Sequence, residues 1–93
     1  MVFEGFITSY KQTSGELNIY CFPGRNNSGR PLYNFSIITK DADYLYKTES
    51  DGSINFIVNS APNNSVTVAM VNINSGKQKK YIFNLDEQVT NVL

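Results

Sequence analysis

The feature that most restricts the fold of this chain is a two-residue repeat of apolar side chains, which recurs in five separate segments. Successive side chains of a β-strand point to opposite faces, so this period predicts strands with one apolar face rather than helices. The alternating residues are Leu17, Ile19 and Cys21; Tyr33, Phe35 and Ile37; Ile54, Phe56 and Val58; Val66, Val68 and Met70; and Tyr81, Phe83 and Leu85.

Turn-forming residues separate these segments and set the expected strand limits. They are Thr13-Ser14-Gly15, Pro23-Gly24, Ser28-Gly29-Arg30-Pro31, Ser50-Asp51-Gly52, Pro62-Asn63-Asn64 and Asn74-Ser75-Gly76. Such residues supply the backbone conformations that tight turns require. The sequence predicts strands at residues 2–10, 16–22, 32–39, 43–48, 53–59, 65–73 and 79–85. For residues 41–50 the alternative is a short helical turn capped by Asp41.

Seven short strands in 93 residues predict one all-β domain over residues 1–93, an antiparallel β-sandwich with a small β-barrel as the alternative. The stretch from Asp51 to Val58, followed by Ser65 to Val71, resembles adjacent strands of bacterial and phage immunoglobulin-like domains. The resemblance implies an immunoglobulin-like sandwich, although the cysteine pair and core tryptophan of antibody-type domains are missing. It implies a fold and no particular function.

Composition argues against most kinds of chemistry. Eight basic and eight acidic residues cancel, and the chain has no histidine. Binding of duplex nucleic acid, which requires a basic face, is therefore not expected, and the commonest general acid–base side chain is missing. Cys21 is the only cysteine, and it lies on the same side of its strand as Leu17 and Ile19. This position predicts a buried, unreactive thiol. We predict a protein that is not an enzyme, with no cofactor, no metal and no catalytic residues.

Four carboxylates, Asp41, Asp43, Glu49 and Asp51, fall within eleven residues of the sequence. Oxygen-rich segments of this kind bind Ca²⁺ in some proteins, but the spacing is not that of an EF-hand loop. We interpret these residues as solvated turn residues, and Ca²⁺ binding is the alternative.

The residues that we predict to bind a partner are Arg25, Asn27, Arg30, Tyr20 and Phe22. Arginine and tyrosine are enriched where proteins bind one another. Tyr20 and Phe22 lie on the opposite side of their strand from its core-facing residues. If both are exposed, they form an apolar surface patch of the kind that binds a partner. The alternative is that the long loop or the C-terminal tail covers this side of the strand.

These observations predict a non-catalytic protein–protein interaction module, an accessory or structural protein of a phage or bacterium such as a capsid, tail, fibre or adhesin-like subunit. Its partner is another protein of unknown identity, and a homo-oligomer is possible. The alternatives are a small phage-type inhibitor of a host enzyme or defence complex and a barrel that binds single-stranded nucleic acid through lysines and aromatic rings. The last would use Lys77, Lys79 and Lys80 beside Tyr81 and Phe83. We see no signal peptide and no membrane-spanning stretch, so we expect the cytoplasm or a virion.

Overall fold

The computed structural model describes residues 2–11 and 15–86, and within them the architecture is all-β. The strands are β1 (Phe6–Lys11), β2 (Leu17–Phe22), β3 (Tyr33–Ile37), β4 (Asp43–Thr48), β5 (Ile54–Ser60), β6 (Ser65–Asn72) and β7 (Gln78–Asn84), with a short 3-10 helix at Pro62–Asn64. The predicted all-β class and the seven strands are confirmed.

The strands form two antiparallel sheets, one of four strands in the order β1-β2-β5-β4 and one of three in the order β3-β6-β7. Hairpins join β1 to β2, β4 to β5 and β6 to β7, and the remaining connections cross from one sheet to the other. Both strand orders are those of a constant-type immunoglobulin domain. The topology is therefore consistent with the immunoglobulin-like arrangement that the sequence resembles.

The first strand differs from its prediction, because it begins at Phe6 rather than at residue 2. Phe6 pairs with Phe22, the last residue of β2, and the next residue along is Pro23, which has no N–H to continue the ladder. Phe3 instead forms an isolated antiparallel bridge with Arg25, with N···O distances of 2.9 and 2.8 Å. The segment before β1 therefore pairs with the loop that follows β2.

The region 43–48 is a strand, as predicted, and not a helical turn. Its hairpin to β5 closes through hydrogen bonds from Glu49 N to Ser53 O and from Gly52 N to Glu49 O. Gly52 has φ +89°, a conformation that glycine adopts without strain. The Asp-Gly pair in the sequence therefore marks a hairpin turn.

One hydrophobic core lies between the inner faces of both sheets. The apolar alternation fills it because every second side chain of each strand points the same way. The core residues are Ile7, Leu17, Ile19, Cys21, Phe35, Phe56, Val58, Val66, Val68, Met70, Phe83 and Leu85. Side chains at the intervening positions consequently point outward, and these decide what each sheet presents to its surroundings.

Candidate interaction surface

The outer face of the four-stranded sheet carries large apolar side chains from all four of its strands. Phe6 of β1 lies opposite Phe22 of β2, and Leu45 of β4 lies opposite Ile57 of β5. Asn18 of β2 has Tyr10 on one side and Ile57 on the other. We call this surface the apolar face and define it by Phe6, Tyr10, Tyr20, Phe22, Leu45 and Ile57. It arises because β1, β2, β4 and β5 carry apolar or aromatic residues among their outward-pointing side chains as well as among the inward-pointing ones.

Aromatic rings organise one half of the apolar face. The Phe6 ring centroid lies 5.9 Å from that of Tyr20 and 5.5 Å from that of Phe22. All three side chains are half-buried, so they support one another without being withdrawn into a core. Tyr10 and Leu45 are more open, with 49% and 67% of their surface exposed. Scattered single apolar residues are normal on a protein surface, whereas rings in contact, here those of Phe6, Tyr20 and Phe22, form a cluster of the kind that marks contact surfaces.

A pair of asparagines lies in the middle of this face. Asn55 Nδ2 donates to Asn18 Oδ1 at 3.0 Å, and Asn18 is fully buried by its neighbours. Asn18 Nδ2 and Asn55 Oδ1 are buried without hydrogen-bond partners. Unsatisfied buried amide groups cost stability.

The outer face of the three-stranded sheet is different in character. It presents mainly small or polar side chains: Asn34, Ser36, Thr67, Ala69, Gln78, Lys80 and Asn84, together with Val71. Ile82, 73% exposed, and Ile38, just beyond β3 and 47% exposed, are its large apolar residues within the described chain. The two outer faces are therefore unequal, and the apolar one belongs to the four-stranded sheet.

The structure divides the five residues predicted to bind a partner. Tyr20 and Phe22 both lie on the apolar face. Arg25 lines a crevice of about 240 Å³ at one end of the domain, with Tyr33 and Phe35 among its other walls. Its Nη2 donates to the Asp51 main-chain oxygen at 3.0 Å, which joins the loop after β2 to the β4–β5 hairpin.

Arg30 and Asn27 lie elsewhere on the same loop. Both side chains are exposed. Arg30 lines a different hollow, beside Ile73 and Asn74 of the β6–β7 hairpin. Arg25 and Arg30 consequently do not converge on one hollow, and neither shares a strand face with Tyr20 and Phe22.

Asn26, which sequence reasoning did not single out, organises this loop. Its Oδ1 accepts hydrogen bonds from the backbone N–H of Ser28 at 2.9 Å and of Arg30 at 3.0 Å. Gly29 N donates in turn to Asn26 O at 3.0 Å. Asparagine side chains commonly accept hydrogen bonds from the nearby backbone in turns. The polar residues of this loop were therefore the sequence signal for this role. These three hydrogen bonds lie within the loop between Asn26 and Arg30.

The carboxylates between residues 41 and 51 are spread over separate turns and a strand. Asp41 occupies a turn with φ +66°, and Asp43 begins β4. Asp51 accepts hydrogen bonds from Ser53 Oγ at 2.6 Å and Ser53 N at 2.9 Å, and these bonds hold the pKa of its carboxyl below the usual value. Within residues 2–11 and 15–86, no group of three or more metal-ligating His, Cys, Asp or Glu side chains occurs.

The lysines of β7 do not share a face with exposed aromatic rings. Lys79 and Lys80 are exposed, whereas Phe83 is buried in the core and Tyr81 packs against it. Base stacking requires rings that a strand of nucleic acid can reach. The arrangement leaves the partly buried Tyr81 as the one ring of β7 that is not enclosed in the core, on the same side of the strand as Lys79.

Cys21 is fully buried on the inner face of β2. Burial raises the pKa of its thiol to about 12, and the thiolate is the reactive form. We expect the folded protein to resist a thiol reagent such as 5,5′-dithiobis(2-nitrobenzoate) at pH 8, and the protein in guanidinium chloride to react at once. Rapid stoichiometric labelling of the folded protein, monitored at 412 nm as is usual for this reagent, would contradict the burial of Cys21.

Comparison with models of protein families, with characterised proteins and with solved structures finds no match to this chain in any of the three. No helix among residues 2–11 and 15–86 has the length and apolar character needed to cross a bilayer. The described residues form an all-β domain with large apolar side chains on one outer face and a hydrogen-bonded loop after β2.

Proposed function

We propose that this chain is a non-catalytic protein-binding module and that the apolar face of the four-stranded sheet is its binding surface. The observation that carries the proposal is the inequality of the two outer faces. The outer face of a sheet that meets only solvent is usually polar. The three-stranded sheet follows this pattern, whereas the four-stranded sheet adds six large apolar side chains to the polar residues on its outer face.

The chemistry of the apolar face suits a protein partner. Tyrosine and phenylalanine are the residues that anchor protein interfaces, because they bury a large area with few rotatable bonds. Asn18, Asn55 and Lys47 lie among or beside them on the same face. Apolar anchors interspersed with polar groups form the usual pattern of an interface between proteins.

The non-catalytic part of the proposal rests on the side chains available. The chain has no histidine, and its single thiol is buried with a raised pKa. An accessory or structural role in a phage or bacterium, in a capsid, tail, fibre or adhesin-like assembly, is the finer form of the proposal. It is supported by the small size of the domain and by its neutral composition, which is rich in Asn, Ser and Thr.

Site-specific photo-crosslinking tests the binding surface. A photoreactive phenylalanine analogue would replace Tyr10 in one variant and Ile82 in a second, and both would be expressed in the cells that naturally contain the chain. Both positions are exposed, at 49% and 73%, but they lie on the outer faces of different sheets. We expect one discrete protein adduct from position 10 and none from position 82.

The specificity of the adduct is tested by adding Tyr20→Ser to the position 10 variant, because Tyr20 lies on the next strand of the same face. We expect the adduct to be lost. Equal adducts from positions 10 and 82, or an adduct that persists with Tyr20→Ser, would overturn the proposed surface.

A further inference from the structure

Strand β4 is the edge of the four-stranded sheet and has β5 as its neighbour on one side alone in the described chain. Five of its six residues are exposed, the exception being the partly buried Tyr44. Leu45 and Tyr46 are 67% and 65% exposed, although a sheet edge with open N–H and C=O groups is normally protected against pairing. The strand contains no proline to interrupt a further ladder.

We propose that two copies of this chain pair antiparallel along β4 and form a symmetric dimer. In this arrangement Leu45 lies opposite Leu45 of the second copy, and Asp43 lies opposite its Lys47. By symmetry Lys47 lies opposite the second Asp43. The two four-stranded sheets then continue as one eight-stranded sheet. A contact that uses the same patch on both copies is the geometry of most protein dimers.

Charge complementarity selects this register. Asp43, Leu45 and Lys47 alternate along β4 on the outer side, and Tyr44 and Tyr46 lie on the inner side. Only the pairing centred on Leu45 puts each aspartate against a lysine, which gives two cross-strand ion pairs. A shift by two residues in either direction loses both ion pairs, and a shift by one puts outer side chains against inner ones.

The bulge in this hairpin leaves β4 itself regular. Asp43 pairs with Ser60 and Tyr44 with Val58, so the unmatched residue is Asn59 on β5. The extra residue of a bulge disturbs the strand that carries it. The free edge of β4 therefore keeps an unbroken alternation from Asp43 to Thr48.

A second copy would also cover exposed aromatic side chains on the inner side of β4. A hollow of about 200 Å³ lies between the edges β3 and β4, and Phe35, Ile37, Tyr44, Tyr46 and Phe56 are among its walls. The Phe56 ring lies 5.8 Å from that of Tyr44 and 6.4 Å from that of Tyr46. In the dimer, Tyr44 of one copy lies opposite Tyr46 of the other, which extends this aromatic row and covers the exposed Tyr46.

The flanking charges limit the pairing to β4. Asp41 and Glu49 would face each other if the ladder continued beyond the strand, and two carboxylates repel. Asp41 has φ +66°, and Glu49 begins the hairpin turn, so the chain leaves the edge at both points. Lys40 lies outside the strand next to Asp41.

The other edges suit self-pairing less well. β7 carries Lys79 and Lys80 and no acidic residue, so no register of self-pairing sets its lysines opposite an acidic side chain of the same strand. β1 ends at Lys11, whose Nζ donates to Leu85 O, so this end of the strand is tied to the segment after β7. β3 contains no charged residue that would select a register.

The dimer shares Leu45 with the proposed binding surface, but it requires only the edge of the sheet and no partner on the rest of the apolar face. The dimer places two apolar faces on one continuous sheet. A partner with repeated binding sites would bind both faces at once, and its overall affinity would be higher than for one face.

Analytical ultracentrifugation of charge-reversal variants tests the dimer. We expect the wild-type chain to associate reversibly to a dimer with rising concentration. Asp43→Lys and Lys47→Asp each put like charges opposite each other twice per dimer, so each should dimerise at least about tenfold more weakly. An equimolar mixture of the two variants restores both ion pairs and should form a heterodimer. Lys80→Asp, on the exposed surface of β7, is the matched control and should associate like the wild type.

The Asp43→Lys/Lys47→Asp double variant gives a second readout, because it should recover the wild-type association within one chain. Circular dichroism melting of each variant establishes that it folds. A wild-type chain that stays monomeric up to about 1 mM, where binding is worth only about 4 kcal/mol, would overturn the proposal. So would single variants that associate like the wild type, or a mixture and a double variant that both stay monomeric.

Discussion

Replacement of Phe83 by alanine is expected to lower the free energy of unfolding by about 3–5 kcal/mol, the usual cost of removing a buried phenyl ring. Phe83 is 2% exposed and is the largest of the fully buried side chains in the described residues. Small domains have unfolding free energies of about 5–15 kcal/mol, so this one substitution should remove a large fraction of the stability. Urea denaturation at 25 °C, followed by circular dichroism, measures the loss.

Ile82→Ala is the matched control for this prediction. Ile82 is the adjacent residue of β7, is 73% exposed and points away from the core. Substitution of a surface residue of this kind changes stability by less than about 0.5 kcal/mol. If both variants lose stability equally, the assignment of inner and outer faces to β7 is wrong.

Replacement of Gly24 by alanine is expected to have the second largest effect. Gly24 has φ +71°, and a Cβ atom there would lie 2.4 Å from the main-chain oxygen of Phe3. A strained backbone of this kind costs about 1–3 kcal/mol. The clash with a main-chain atom also breaks the paired hydrogen bonds between Phe3 and Arg25, at about 1 kcal/mol each. We expect a lower melting temperature and rapid amide hydrogen exchange at Phe3 and Arg25.

Gly29→Ala separates the two causes. Gly29 lies in the same loop with φ +79°, but its added Cβ would meet no atom within 4 Å. This variant should show the backbone strain alone and keep slow exchange at Phe3 and Arg25. Equal effects of the two substitutions would show that the close approach of Phe3 to Gly24 contributes nothing.

The inner faces of the sheets were predictable from sequence because burial imposes a local period. Leu17, Ile19 and Cys21 share one side of a strand whatever its neighbours are, and the structure buries all three. The Asp51-Gly52 turn is equally local, since it depends on two adjacent residues. The same local argument put Tyr20 on the opposite side of its strand from the core.

The composition of the apolar face was not predictable, because it depends on which strands lie side by side. Ile57 and Leu45 adjoin through the β4–β5 pairing, and Asn18 lies beside Ile57 through the β2–β5 pairing across a long stretch of sequence. Phe6 and Tyr10 alternate with the inward Ile7 and Ser9, and this alternation was the available signal. The link from Arg25 to Asp51 joins two loops 26 residues apart, which no local pattern encodes.

The most direct test of the central claim is the affinity of the protein recovered by crosslinking, measured by biolayer interferometry. The variants are Tyr10→Ser/Tyr20→Ser on the apolar face and Ile82→Ser on the other sheet. Loss of two aromatic anchors from an interface typically costs at least about 2 kcal/mol, which weakens binding about thirtyfold. The account predicts this loss for the first variant and unchanged affinity for the second. Equal affinity of both variants, or a larger loss with Ile82→Ser, would contradict it.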